Sequence, residues 1–292
     1  MWNMALSEVD FRAVETQRRA WAQERLRVAF VPTMGSLHEG HRSLIREAKS
    51  LCDRVIVSIF VNPTQFAEGE DLAEYPRDAE GDLTKAASAG ADLVWFAQHE
   101  VIYPPDWGTT LVPKRVGLGL ETDHRPHFFT GVATVVARLL CLVRPEVAFF
   151  GEKDYQQLLV VRQLNRDLHL GVDVRAGRLI RDDDGLALSS RNTYLSAAQR
   201  ARALAVPEAL RSVCAAYAAG ERSVDHLEGL GVAELKRAGL SVDYCAVVSS
   251  EDLSAPSSQV DDAPKRWRAL VAARCDGLRL LDNCSLDDPP WR

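Results

Sequence analysis

The sequence predicts an α/β fold: a Rossmann-like parallel sheet over residues 1–178, followed by a smaller α+β C-terminal domain over residues 179–292. Three observations carry this. Through the first half, short apolar runs alternate with amphipathic stretches, the rhythm of a parallel sheet with helices on both faces. Glycine-bearing polar loops follow three of those runs, at Val31, Val61 and Phe150, and right-handed crossovers collect such loops along one sheet edge, where ligands bind. Near residue 180 the texture shifts to alanine-rich helical sequence and then to three late strand-like runs.

Residues 28–31, "VAFV", read as a buried strand, and "HRSLIREAKSLC" (41–52) as a helix with Leu44, Ile45, Ala48 and Leu51 on one face. "RVIVSIFV" (54–61) is a near-continuous apolar run, as in a strand covered on both faces, and Asn62-Pro63 stops it. "AEGDLTKAASAG" (79–90) predicts a helix closed by Gly90, and "ADLVWFA" (91–97) another strand. "GVATVVARLLCLV" (131–143) is helical and ended by Pro145, and "EVAFFG" (146–151) is a strand ending at Gly151. "YQQLLVVRQLNRDLHLG" (155–171) is a long amphipathic helix with Gly171 as its cap. In the second domain Ser196 and Gln199 form a capping box opening a helical segment bent at Pro207, and "SVDHLEGLGVAELKRAG" (223–239) supplies another helix. "SVDYCAVV" (241–248), "WRALVAAR" (267–274) and "LRLLDN" (278–283) are strands, with a polar loop, "SAPSSQVDDAPKR" (254–266), before the second.

The totals exclude several classes. With 47% apolar and 26% charged residues over 292, the chain can build a core without a metal or disulfide staple. A net charge of −6 argues against broad contact with nucleic acid or anionic membrane, while leaving room for a local positive pocket. Six cysteines without a C-x-x-C pair read as free thiols. No signal-like start is present and no apolar run approaches the ~20 residues a membrane-spanning helix requires, so a cytoplasmic protein is expected.

Three clusters could do chemistry. In "VPTMGSLHEGH" (31–41), Gly35 permits a tight turn, Gly40 permits close ligand approach, and His41 falls at a helix start, where free N–H groups favour phosphate. His38 and His41 there could stabilise charge developing at phosphorus. In "GEKDYQQ" (151–157), Lys153 offers a compact charge for phosphate, Asp154 a partner for ribose hydroxyls or metal-bound water, and Gln157 a contact for a polar substrate. In "GLALSSRN" (185–192), two serines and an arginine offer hydroxyls and a guanidinium fork. Asn62 and Gln65 in "FVNPTQF", polar and uncharged, suit hydroxyls and a carboxylate. Signatures for a P-loop, a G-x-G-x-x-G turn, an H-E-x-x-H zinc site, zinc-spaced cysteines and a G-x-S-x-G elbow are all missing.

"VPTMGSLHEGH", "IVSIFVNPTQF", "FFGEKDYQQL" and "DGLALSSRNTYL", in this order, resemble the pantothenate synthetases, or pantoate–β-alanine ligases. The resemblance extends from about Val28 to "RLLDN"; H-x-G-H is shared with a wider nucleotidylyltransferase superfamily, and "GEKDYQQL" and "SSRN" narrow it. It implies that pantoate's carboxylate attacks the α-phosphorus of ATP, giving pantoyl adenylate and pyrophosphate, after which β-alanine's amine displaces AMP. Carried across, His38, His41, Lys153 and Arg191 are catalytic. Met34, Gly35, His41, Gly151, Lys153, Asp154, Ser189, Ser190 and Arg191 bind ATP, and Gln65, Gln157, Met34 and Phe150 bind pantoate. Asn62, Arg125 and His127 fall on the amine side. The family uses ATP with Mg²⁺ and is typically a homodimer; its metal ligands do not follow from the spacing.

One segment departs from the family. Its usual R-P-G-H-F-x-G-V reads "RPHFFTGV" here (125–132), so His127 replaces the glycine and Phe128 the histidine, and the preceding "LEG" becomes Leu120-Glu121-Thr122. Either His127 takes the lost histidine's place through a shifted loop, or a polar group near phosphate or amine is gone and the chain joins a different acid or amine. The intact remaining motifs favour preserved acid activation. A nucleotidyltransferase that stops at adenylate, or a silent nucleotide binder, fits the full motif set less well.

Overall fold

The computed structural model describes residues 10–261 and 266–289. Strands β1 (Val28–Thr33), β2 (Arg54–Ile59), β3 (Leu93–Phe96), β4 (Val147–Gly151) and β5 (Asp173–Gly177) form one parallel sheet in the order β3-β2-β1-β4-β5. Register runs Val28 to Arg54 through Thr33 to Ile59 on one side of β1, and Ala29 to Val147 on the other. The sheet grows outward from β1 in both directions, so the gap past the carboxyl ends of β1 and β4 is its topological switch point.

Alternation sorts the strand side chains. Ala29 and Val31 of β1, Val55 and Val57 of β2, and Val147 and Phe149 of β4 pack on one face. That face is covered by α2 (Glu39–Leu51), through Leu44, Ile45 and Ala48, and by α3 (Ala79–Ala89), through Ala86 and Ala89. Val28, Phe30, Ile56 and Ala148, equally buried, take the other face. There α1 (Phe11–Gln23) sets Phe11 5.4 Å from Trp95, and the apolar α6 (Phe128–Val143) follows the short helices α4 (His99–Ile102) and α5 (Glu121–His124). Helix α7 (Tyr155–Asp167) leads to β5.

By contacts, the chain forms two units. The first runs through Glu152 and resumes over Gln157–Arg178; the second takes Lys153–Gln156 and the chain from Leu179 onward. The second unit comprises α8 (Ala197–Ala203), α9 (Ala205–Ala218), α10 (Val224–Arg237) and the antiparallel sheet β6 (Ser241–Ser249), β7 (Trp267–Cys275), β8 (Leu278–Ser285). Val213, Leu227 and Leu235 from its helices bury against Val247, Ala269, Val271 and Leu280 of its strands.

Several expected boundaries move, each for a physical reason. β2 ends at Ile59 rather than Val61: β1 ends at Thr33, and Phe60 N–H makes the last ladder bond, to the Thr33 carbonyl, before the chain turns at Asn62-Pro63. α6 starts at Phe128, three residues before the apolar run, and ends on Arg144 in the left-handed region, one residue ahead of Pro145. α7 stops at Asp167, where His169, at φ +51°, makes the turn that Gly171 was expected to make. Pro207 does not bend a helix: the break is at Leu204, and Pro207 lies in the first turn of α9, where no N–H is required of it. α1 and β5 have weak sequence signals, since α1 buries only Val14 and Trp21 and the edge strand β5 is largely exposed. Residues 262–265 of the predicted polar loop lie outside the described residues.

Candidate active site

The two histidine rings are held by backbone N–H groups of the turn they open. His38 is the N-cap of α2: its Nδ1 accepts from Gly40 N at 3.1 Å, while His41 Nδ1 accepts from His38 N at 3.3 Å, a capping box made of imidazoles. The rings lie 4.1 Å apart. An Nδ1 that accepts cannot carry the proton, so each neutral ring bears it on Nε2, the atom turned away from the backbone it caps. The two donors therefore sit at the N-terminus of a three-turn helix beyond the end of β1.

The turn before them is fixed by a residue the motif does not contain. Asp82 of α3, 1% exposed, accepts from Ser36 N at 2.8 Å and Leu37 N at 2.6 Å. Burial pushes its carboxyl upward, against the downward pull of those two bonds. Gly35, at φ +84°, has no alternative: a Cβ there would lie 2.9 Å from Asp82 Oδ2. One sequence signal does exist, for Asp82 occupies the buried i, i+4, i+7 stripe with Ala86 and Ala89, where an acid is out of place.

The Asn62–Gln65 turn lies beyond β2. Asn62, 1% exposed, donates from Nδ2 to Gln65 Oε1 at 3.1 Å and to Gly131 O at 3.3 Å. Its Oδ1 accepts from the Tyr103 hydroxyl at 2.8 Å, with Thr64 Oγ1 at 3.0 Å. These bonds orient the Gln65 amide: Oε1 is occupied, and Nε2 points to Met34 Sδ at 3.1 Å. Met34 and Gln65, two of the residues expected to bind the acid, are thus brought together. Phe150 is buried in β4, Gly151 ends that strand, and Gln157 is half-buried early in α7.

Two of the residues expected on the amine side take part in hydrogen bonds within the protein. Asn62 has partners on both polar atoms of its side chain. Arg125 binds Glu70 Oε1 and Oε2 at 2.8 and 2.6 Å, Glu121 at 3.2 Å and the Gln65 carbonyl at 3.0 Å, with its guanidinium 4.1 Å over the Phe128 ring. Burial alone would raise Glu70, but its bonds and charge contact with Arg125 outweigh that and hold the carboxyl below its usual range. His127 is the N-cap of α6, with no capping bond and a buried Nε2 that lacks a hydrogen-bond partner.

The remaining expected residues belong to the second unit. Lys153 Nζ lies 3.3 Å from Asp154 Oδ1. Ser189 Oγ accepts from Arg191 N at 3.3 Å and opens the 3-10 turn Ser190–Tyr194, and Asn192 Nδ2 ties that turn to the Ala187 carbonyl at 3.0 Å. Asp182 and Asp184, before that turn, are bound by Arg200, after it, at 2.6 and 2.7 Å.

A family model described as pantoate-beta-alanine ligase matches residues 9–285. The chain belongs to this family. A pantothenate synthetase from Bradyrhizobium sp. (strain BTAi1) is 49% identical over 279 residues, covering 94% of this chain and 97% of its own. Among solved structures, the pantothenate synthetase from Thermus thermophilus matches with a TM-score of 0.86 and 42% identity, over 94% of this chain and 97% of that one. The pantoate-beta-alanine ligase from Francisella tularensis, complexed with β-γ ATP and β-alanine, matches with a TM-score of 0.79 and 30% identity, over 97% and 98%. As a member of the pantoate-beta-alanine ligase family, the chain is an enzyme, and its parallel sheet with an appended antiparallel unit is the fold of the Thermus protein. Among the described residues no helix is long and apolar enough to cross a membrane, and no three His, Cys, Asp or Glu side chains gather as a metal site. None of the six cysteines is in a disulfide, and Cys214 Sγ lies 3.1 Å from Cys284 Sγ.

Proposed function

We propose that the chain condenses pantoate with β-alanine to pantothenate at the expense of ATP, through a pantoyl adenylate, with release of pyrophosphate and then AMP. The carrying observation is the reciprocal cap of His38 and His41, which presents two neutral Nε2–H donors at a helix N-terminus beyond β1. When pantoate's carboxylate attacks the α-phosphorus, negative charge grows on the non-bridging oxygens, and donors fixed beforehand stabilise it without reorganising. Mg²⁺ enters as part of the substrate, carried on the ATP phosphates. Lys153, Ser189, Ser190 and Arg191 take those phosphates, and Gly151 and Asp154 lie near the ribose. Gln65 and Gln157 hold pantoate's oxygens, with Met34 and Phe150 against its methyl groups. The orientation of the Gln65 amide supports this, since the group toward Met34 is an N–H donor, matched to a carboxylate or hydroxyl oxygen. The β-alanine amine then attacks the acyl carbon of the adenylate, AMP leaves with the P–O bond intact, and the amine's proton is lost.

The test is pyrophosphate exchange into ATP, which this reading requires to depend on added pantoate, followed by addition of β-alanine and identification of pantothenate by mass. A second reading rests on the 125–132 segment, where His127 and Phe128 stand in place of the glycine and histidine of the motif it resembles and the Phe128 ring stacks on Arg125. Pantoate-dependent exchange without pantothenate on adding β-alanine would favour that reading, and a screen of amines would follow. Cytoplasmic location and a homodimer complete the proposal; light scattering on the purified protein checks the latter.

Two substitutions separate the ligands. Gln65→Ala should raise KM for pantoate by ~10-fold or more, the scale of one lost hydrogen bond to a charged group, and leave KM for ATP nearly unchanged. Equal losses for both substrates would remove Gln65 from acid recognition. At Gly151 a Cβ would meet nothing within 4 Å and φ is not positive. Gly151→Ala should therefore keep stability within about 0.5 kcal/mol while weakening ATP binding, because only a ligand would feel the added methyl. Unchanged KM for ATP would place the nucleotide elsewhere.

A further inference from the structure

The "LRLLDN" run near the C-terminus is singled out by the sequence, yet the chemistry above leaves it without a task. In the structure its last residue reaches the loop that carries Lys153. Asn283 of β8, 3% exposed, donates from Nδ2 to the Lys153 carbonyl at 2.8 Å. Its Oδ1 accepts from the Arg268 guanidinium of β7, and its backbone N–H donates to Asp282 Oδ1 at 2.7 Å. Asp282 is itself buried and gripped through both oxygens by Arg181 at 2.6 and 2.9 Å. Arg268 also lies 3.9 Å from the ring centre of Tyr155, whose hydroxyl donates to the Ser250 carbonyl at 2.6 Å. Residues 153 and 155 are thus both fastened to the antiparallel sheet, and the amide at the junction is built into a buried ionic network.

A buried asparagine is costly unless its amide is used on both sides, and here it is. One side serves Arg268. The other serves a backbone carbonyl that belongs to the residue whose ammonium is needed at ATP. Lysine is a flexible point charge on a four-carbon stem, so the placement of its backbone sets how much of its conformational space faces the phosphates.

We propose that Asn283 is a positioning residue for adenylation, fixing through its bond to the Lys153 carbonyl the backbone from which Lys153 reaches the ATP phosphates. This rests on the assignment of Lys153 to phosphate given above. Asn283→Asp tests it with little change of shape: the acceptor for Arg268 stays, and the donor to Lys153 is lost. Pantoate-dependent exchange should fall ~10-fold in this variant, well short of the ~10²-fold that misplacing a reacting group by 1 Å can cost, with KM for pantoate unchanged. Lys153→Ala should lose ~10²-fold, and the double variant should be no worse than Lys153→Ala, because groups acting through one another are not additive. Asn283→Ala, which loses both bonds, should show the same dependence on Lys153, and serves if the aspartate variant does not fold. Losses that multiply in the double variant, or a pantoate KM that rises alongside, would make Asn283 a general structural residue and overturn the proposal. Full exchange in Asn283→Asp beside a crippled Lys153→Ala would overturn it too and leave the role of Lys153 standing. Full exchange in Lys153→Ala would remove that role, and this proposal with it.

Discussion

His41→Ala lowers pantoate-dependent ATP–pyrophosphate exchange by ~10²-fold or more, the cost of losing one preorganised donor to a developing oxyanion. The structure makes the substitution a double loss. It removes the Nε2–H and also the Nδ1 that accepts from His38 N, so the partner ring loses part of what holds it at the helix N-terminus. The structural share is bounded, since losing a cap costs about 0.5–2 kcal/mol of stability and shows in thermal unfolding. A large fall in exchange with a cap-sized change in stability supports the chemical role. Exchange near the wild-type rate would remove His41 from the reaction.

Gly131→Ala is the second large effect, and propensity alone predicts the wrong sign. In a helix interior alanine is favoured over glycine by about 1 kcal/mol. In α6, however, a Cβ at residue 131 would stand 2.4 Å from the Thr64 carbonyl oxygen, 2.6 Å from its carbon and 2.8 Å from Gln65 N. All three are backbone atoms of the turn that carries Gln65, and none can swing aside. Overpacking of this kind costs about 1–3 kcal/mol, and relief requires the helix and the turn to part. The shift moves Gln65 and breaks the Asn62 bond to the Gly131 carbonyl, so kcat/KM for pantoate falls by ~10²-fold, as misplacement by an ångström can cost. A variant at least as stable as wild type with unchanged pantoate kinetics would show that the close approach does not matter.

Local sequence was enough for what is locally determined. β1, β2 and β4 are short apolar runs, and several helices carry their own caps, Gly90 in the left-handed region after α3 and the Ser196–Gln199 box before α8 among them. The histidine pair was visible because it follows a strand-like run and opens a helix, while its role as N-cap and N3 residue emerged only in the fold. Long-range partners were not visible. Asp82 lies 46 residues from Ser36, and Asn283 lies 130 from Lys153. Nothing in "EGD" or "LDN" names the loop each one holds. The partners of Arg125 and Asn62 were hidden for the same reason: their residue types suit a polar ligand, and only the fold reveals their bonds to Glu70, Glu121, Tyr103 and Gly131. Edge strand β5 was missed because half of its side chains face water, which removes the apolar run that marks the central strands.

Pantoate labelled with ¹⁸O in both carboxylate oxygens, turned over with ATP and β-alanine, tests the central claim most directly. Attack of that carboxylate on the α-phosphorus followed by amine attack at the acyl carbon must leave one labelled oxygen in AMP and one in the pantothenate amide carbonyl. That distribution is the expected result. Label in orthophosphate, or AMP free of label while pantothenate forms, would contradict adenylation as the route.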